Sequence, residues 1–180
     1  MPVRRPDPDR LLAALNAQRS ALAWRPWAGS DTADVLGAAC LDAVMAAADA
    51  GLAAQAGALR AAVGYTLGLL EARAPGRAVE VRVPPYAAIQ CVSGPRHTRG
   101  TPPNVVEADP MTWILLATGR MAWPEAIRSG GLAASGLRAD VSGYLPLTAP
   151  SQPLNARSGQ APQSKPPGSC GNQTPRAPIE

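Results

Sequence analysis

Asp109 to Gly136 reads DPMTWILLATGRMAWPEAIRSGGLAASG, and its punctuation decides the fold. Asp109-Pro110 is a cap residue followed by proline at the first helical position, where the missing N–H has no intrahelical partner anyway. Met111, Ile114, Leu115 and Leu116 then follow helical spacing to Thr118, and Gly119 supplies the left-handed residue that ends such a helix. Pro124 opens a shorter helix that stops at Gly130, and Leu132 to Ser135 reads as a strand. The resulting order is helix, glycine, short helix, glycine, strand.

Immediately upstream the hydrophobic period is two. Ala78 to Val83 (AVEVRV) places Val79, Val81 and Val83 on one face and Glu80 and Arg82 on the other, which predicts a half-buried strand. Pro84-Pro85 stops it, and Tyr86 to Val92 (YAAIQCV) is the next strand. Ser93 to Pro103 (SGPRHTRGTPP) is a loop by composition, and Asn104 to Ala108 (NVVEA) is a third short strand. Downstream, Asp140 caps a last turn (VSGYL) before Pro146.

Further out, the period returns to that of helices. Asp7-Pro8 repeats the cap-then-proline signal, and Leu11, Leu12, Leu15 and Leu22 share one face. This helix stops near Trp24, because Pro26 disfavours α geometry in Arg25. Ser30 or Asp31 caps a second helix reaching about Leu52, with Leu36, Cys40, Val44 and Ala47 as its apolar stripe. A third runs from about Gln55 to Ala74 with Leu59, Val63, Leu67 and Leu70 on one side, and Pro75-Gly76 ends it. Beyond Thr148 the chain is rich in Pro, Gln, Ser, Asn and Gly, too poor in apolar residues to offset its ordering entropy.

Asp109 to Gly136 resembles the C-terminal half of a sterol-carrier-protein-2-type domain, in which a similar segment feeds an edge strand. The preceding VEVRVPPYAAIQCVSGPRHTRGTPPNVVEADP (Val79 to Pro110) and the trailing GLRADVSGYLPL (Gly136 to Leu147) are more particular. They resemble a bacterial, chiefly actinobacterial, branch of sterol-carrier-like orthologues, and the likeness spans residues 55–147. It implies an α+β fold, a twisted, mostly antiparallel sheet of four to five strands covered by helices. The sequence itself shows four strands, against five in the usual sheet of the wider family. The resemblance also implies a non-enzymatic carrier that encloses fatty acyl chains or sterols in an apolar tunnel. The organisation expected is an N-terminal helical segment (1–54) packing on the domain (55–147), then a disordered Pro-rich tail (148–180).

Composition narrows the function classes. The chain has 180 residues, a formal charge of +4 and a pI of about 9.4, but Lys165 is its sole lysine. Arginine in place of lysine, with heavy Ala, Gly and Pro use, is what a GC-rich genome produces. No helix carries an arginine run and no basic stripe alternates with aromatics, so nucleic acid is not an expected partner. Asp34 to Ala54 is the one candidate membrane span. Its five Val and Leu residues favour a bilayer by roughly 0.3–0.6 kcal/mol each, whereas its three aspartates cost roughly 2.5–3.5 kcal/mol each at depth. Asp31, Asp34, Asp42 and Asp49 moreover fall within an arc of roughly 80° at helical spacing, one solvated face. No integral membrane segment is expected. MPVRRPDPDR lacks the apolar stretch of a signal peptide, and Cys40, Cys91 and Cys170 form neither a CxxC pair nor an even set. A cytoplasmic protein is the expectation.

The candidate site has an apolar and a polar half. Trp113 and Trp123 flank Gly119, with Leu116 and Ile127 nearby. These four are either core contacts under the sheet or the wall of a ligand tunnel, which suits an indole with its large apolar face and single donor. Phenylalanine is absent, so any cavity is walled by aliphatic side chains and tryptophan. Arg96, His97 and Arg99 lie in the densest polar cluster, where two guanidinium groups, hydroxyls and backbone N–H groups suit a carboxylate or phosphate head group. The same arginines can instead pair with Glu80, Glu107 or Glu125 in a solvated loop.

His97 is the only histidine, which rules out a histidine-cluster metal site, and Thr98 beside it is poorly placed for a nucleophile and base. Glu107 and Asp109 are two apart, but Asp109 is accounted for as a helix cap. Cys91, inside a strand, has the raised pKa of a buried, inert thiol. No catalytic residue, metal or cofactor is expected. The leading reading is a non-catalytic protein binding a hydrophobic small molecule, fatty acyl or sterol-like, with an acidic end. One alternative is a degenerate relative of thiol-dependent maleylpyruvate isomerases, which join a metal-binding helical bundle to a sterol-carrier-like domain; Met1 to Ala74 contains no histidine for that metal. Another is a protein-interaction module acting through the tail or the Trp24–Trp27 corner, for an unknown protein partner.

Overall fold

A computed structural model of the chain describes residues 7–94 and 104–148. Three helices come first, α1 (Pro8–Ala21), α2 (Ala33–Asp49) and α3 (Ala56–Arg73). The strands β1 (Val79–Val83), β2 (Ala87–Cys91) and β3 (Val105–Ala108) follow. Then come α4 (Pro110–Ala117), α5 (Trp123–Arg128), β4 (Leu132–Ser135) and a 3-10 turn over Ser142–Tyr144.

The element ends follow local chemistry. The Asp7 carboxylate accepts the Asp9 N–H at 3.1 Å, and Pro8 opens α1. At the other end Ala23 N–H donates to Ser20 and Trp24 N–H to Arg19, at 3.0 and 2.8 Å, with Ala23 at φ +55°. The same pair of bonds closes α4, where Gly119 sits at φ +71° and Arg120 N–H reaches the Leu115 carbonyl at 2.8 Å. Two helix starts differ from the sequence reading. The cap of α2 is Thr32, not Ser30 or Asp31, because Ser30 belongs to the preceding turn: its carbonyl accepts the Trp27 indole N–H at 3.2 Å. Helix α5 begins at Trp123, one residue before Pro124. Asp109 stands at the cap position of α4 without a side-chain cap bond, its own N–H donating to the Gly131 carbonyl at 2.9 Å.

The sheet has four strands in the order β2-β1-β3-β4. β1 pairs antiparallel with β2 (Val81 opposite Ile89) and parallel with β3 (Val81 opposite Val106), and β3 pairs antiparallel with β4 (Ala108 opposite Leu132). The fold is thus α+β with a mixed sheet of mostly antiparallel pairing. Alternation gives the sheet one buried face, carrying Val79, Val81, Val83, Ile89, Val106 and Ala108. This face joins Val63, Leu67 and Leu70 of α3 and Trp113, Ile114 and Leu116 of α4 in a single apolar cluster. The other face is polar, with Arg82 Nε donating to Glu80 at 2.6 Å.

A second cluster ties α1 to the rest through Leu11, Leu15, Leu36, Cys40, Ala43 and Ala61, with Trp24 and Trp27 packed against it. The Arg19 guanidinium lies over both indoles, 5.3 and 5.6 Å from the ring centres. These tryptophans therefore fasten the α1–α2 connection onto its own helix. Helix α2 serves both clusters, since Leu41, Val44 and Met45 enter the main core. Its aspartates at 34, 42 and 49, and Asp31 just before it, are exposed. Among the described residues no helix is long and apolar enough to cross a membrane.

Candidate ligand-binding site

The four apolar candidates fall into two pairs. Trp113 and Leu116, inward-facing on α4, are buried in the main core. The Trp113 indole N–H donates to Thr66 Oγ1 at 2.9 Å, and that hydroxyl in turn donates to the Ala62 carbonyl at 2.8 Å. A polar pair is thereby satisfied inside an apolar interior, where an unmade bond would be costly. Trp123 and Ile127 lie on α5, a helix of six residues whose one buried side chain is Ala126. Trp123 is half-buried against the main cluster, whereas Ile127 is 46% exposed. The structure thus sets one tryptophan in the core and the other at its margin. Helix phase could have separated Trp113 from solvent, but nothing local distinguishes Trp123.

Arg96, His97 and Arg99 lie outside the described residues. The described residues on either side of 95–103 are held together by Asn104 and Arg138. Asn104 is buried; its Nδ2 donates to the Ala78 carbonyl at 2.8 Å and its Oδ1 accepts the Arg138 N–H at 3.0 Å. The Arg138 guanidinium packs beside Gly94.

One arrangement has no local sequence signal. Arg73, the last residue of α3, donates through Nη1 to the carbonyls of Tyr144 (2.9 Å) and Pro146 (2.5 Å), and through Nη2 to that of Leu147 (3.1 Å). The N–H groups of Leu147 and Thr148 both donate to the Ala117 carbonyl at the end of α4, at 2.8 and 3.3 Å. Partners more than 70 positions apart meet here, and no spacing rule connects them.

The remaining chemistry-bearing residues are quiet. Burial pushes the thiols of Cys40 and Cys91 up to about 11, with Glu71 adding to the effect at Cys91. Neither forms thiolate readily near neutral pH. Glu107 is exposed on β3 beside Arg82 of β1. Among the described residues, no three His, Cys, Asp or Glu side chains are grouped so as to hold a metal ion.

No curated protein matches the chain. A family model described as bacterial SCP ortholog matches residues 55–147, a stretch that begins at the cap of α3 and ends at the buried Leu147. With just over half of its length matched, on the α+β arrangement described above, the chain belongs to the bacterial sterol-carrier-protein ortholog family.

Proposed function

We propose that the chain is a non-catalytic cytoplasmic carrier for a hydrophobic ligand with an acidic end, a fatty acid being the simplest. Membership of a sterol-carrier-like family carries this reading. The α4–α5 region supports it, because half-buried Trp123 packs against the cluster holding Trp113 and Leu116, and Ile127 exposes further apolar surface on the same short helix. The acyl part lies against these four residues, and Arg96, His97 and Arg99 supply cations and donors for the acidic end. Trp113 and Leu116 are buried, so the ligand reaches them only as side chains at the margin give way.

Native mass spectrometry of protein purified from its own host, together with an oleate titration followed by tryptophan emission, tests this. Expected are a retained acidic lipid and a saturable emission change. A spectrum of apoprotein alone, with emission indifferent to oleate, overturns it.

A further inference from the structure

We infer that Arg73 and the slot filled by Leu147 form a carboxylate-and-acyl site, occupied in this structure by the chain's own segment Tyr144–Thr148. The inference rests on the fatty-acid reading above and locates the acid on Arg73 rather than on Arg96 and Arg99.

The contacts of that segment resemble those of a ligand. Three neutral carbonyl oxygens, from Tyr144, Pro146 and Leu147, converge on one guanidinium. A planar guanidinium with parallel donors is best matched by a carboxylate, which takes two of them at once and brings the opposite charge. No ion pair occupies Arg73 among the described residues. Beside these oxygens the segment buries one apolar side chain, Leu147, in the cluster that includes Leu70, Trp113 and Leu116, while Tyr144 and Leu145 pack against its edge. Tyr144, Leu145 and Thr148 are only half-buried and Pro146 is exposed. The segment thus offers oxygens to a cation and a branched alkyl group to the core, as a fatty acid would.

Part of its hold lies at the surface. Beyond the burial of Leu147 and the packing of Tyr144 and Leu145 at the core's edge, it is fastened by bonds to the exposed Arg73 side chain, which water can replace, and by two N–H groups sharing the Ala117 carbonyl. Trp113 and Ile114 of α4 are fully buried, so α4 stays when the segment lifts. Lifting it frees the guanidinium and a leucine-sized slot into the core in one step. A fatty acid that fills both holds the segment open, because it binds the open state and not the closed one.

The test uses the full chain, oleate as probe, and amide exchange at Leu147 and Thr148. In the native protein, oleate is expected to raise exchange of those two amides about ten-fold or more while α4 keeps its protection. Arg73→Gln is expected to weaken oleate binding about ten-fold or more relative to binding of the uncharged methyl oleate, which is kept or strengthened because the substitution also loosens the segment. Arg96→Gln with Arg99→Gln serves as the comparison. If oleate binds but its affinity follows Arg96 and Arg99 and not Arg73, with segment exchange unmoved, the inference is overturned and the carrier reading stands. If no protein binds oleate, both fall. The exchange measurement needs no substitution, so it decides the matter even where Arg73→Gln fails to fold.

Discussion

The indole N–H of Trp113 on α4 donates to the hydroxyl of Thr66 on α3 at 2.9 Å, and neither residue reaches solvent. It is a side-chain bond between the two helices within the apolar interior. Thr66→Val keeps the shape but leaves the indole donor unpaired, and is expected to cost about 1–3 kcal/mol in urea unfolding. Trp113→Phe removes the donor as well as volume. The double variant should therefore be more stable than the summed single losses imply, by about 0.5 kcal/mol or more. Strict additivity would mean that the bond contributes nothing.

Backbone strain predicts two substitutions of opposite sign. Ala23 is exposed, sits at φ +55°, and ends α1 at a position that favours glycine. Ala23→Gly should raise stability by about 1 kcal/mol. Gly76 is the reverse case, because a Cβ there would run into the Val92 carbonyl. That carbonyl cannot easily withdraw: it accepts the Ala78 N–H at 3.0 Å, and Val92 itself is at φ +62°. Gly76→Ala is expected to cost about 1–3 kcal/mol, read from the shift in denaturation midpoint.

The buried thiols give a pH dependence. Cys40 and Cys91 titrate near 11 in the fold against 9.0 when exposed. Above pH 9 the unfolded chain releases thiol protons that the folded chain keeps, so it binds fewer protons and gains relative stability. The denaturation midpoint should therefore fall as pH rises from 9 to 11, and Cys40→Ala with Cys91→Ala should remove that part of the fall. A thiol reagent at pH 8 should modify neither residue until denaturant is added.

Gln18 links α1 to the start of α3. It is fully buried, its Oε1 accepts the Gln55 N–H at 2.6 Å, and its Nε2 has no partner among the described residues. Gln18→Ala leaves the Gln55 N–H without its acceptor and opens space, at an expected cost of about 1–3 kcal/mol. Gln18→Met keeps the volume and removes the unpaired donor, so it should cost less than Gln18→Ala in the same unfolding experiment. The reverse order would show that the amide is better satisfied than the structure indicates.

Element positions were legible because their causes are local. β4 occupies Leu132–Ser135 as read, and α3 runs from the residue after Gln55 to the residue before Ala74. Both follow from short-range signals: a change of hydrophobic period, a proline, or a glycine where the chain must turn left-handed. The start of α2 was misplaced because Ser30, a good cap by type, sits in the turn before the helix, where its backbone carbonyl accepts the Trp27 indole N–H. The apolar half of the site was legible as a set of residues but not as an arrangement. Trp113 and Trp123 have similar neighbours in sequence, yet the fold encloses one and leaves the other at the margin.

Residue type and short-range spacing settle which segments are helix and strand, which helix face meets water, and that a lone histidine cannot form a histidine cluster. Each of these depends on residue type and on spacing within a few positions. Only the tertiary structure decided that β1 pairs parallel with β3, that Thr66 receives the Trp113 N–H, and that Arg73 gathers the carbonyls of Tyr144, Pro146 and Leu147. These contacts join positions from about 25 to more than 70 residues apart. A long-range pairing is selected by how all the apolar faces can be buried at once, a condition on the whole chain that no local window contains.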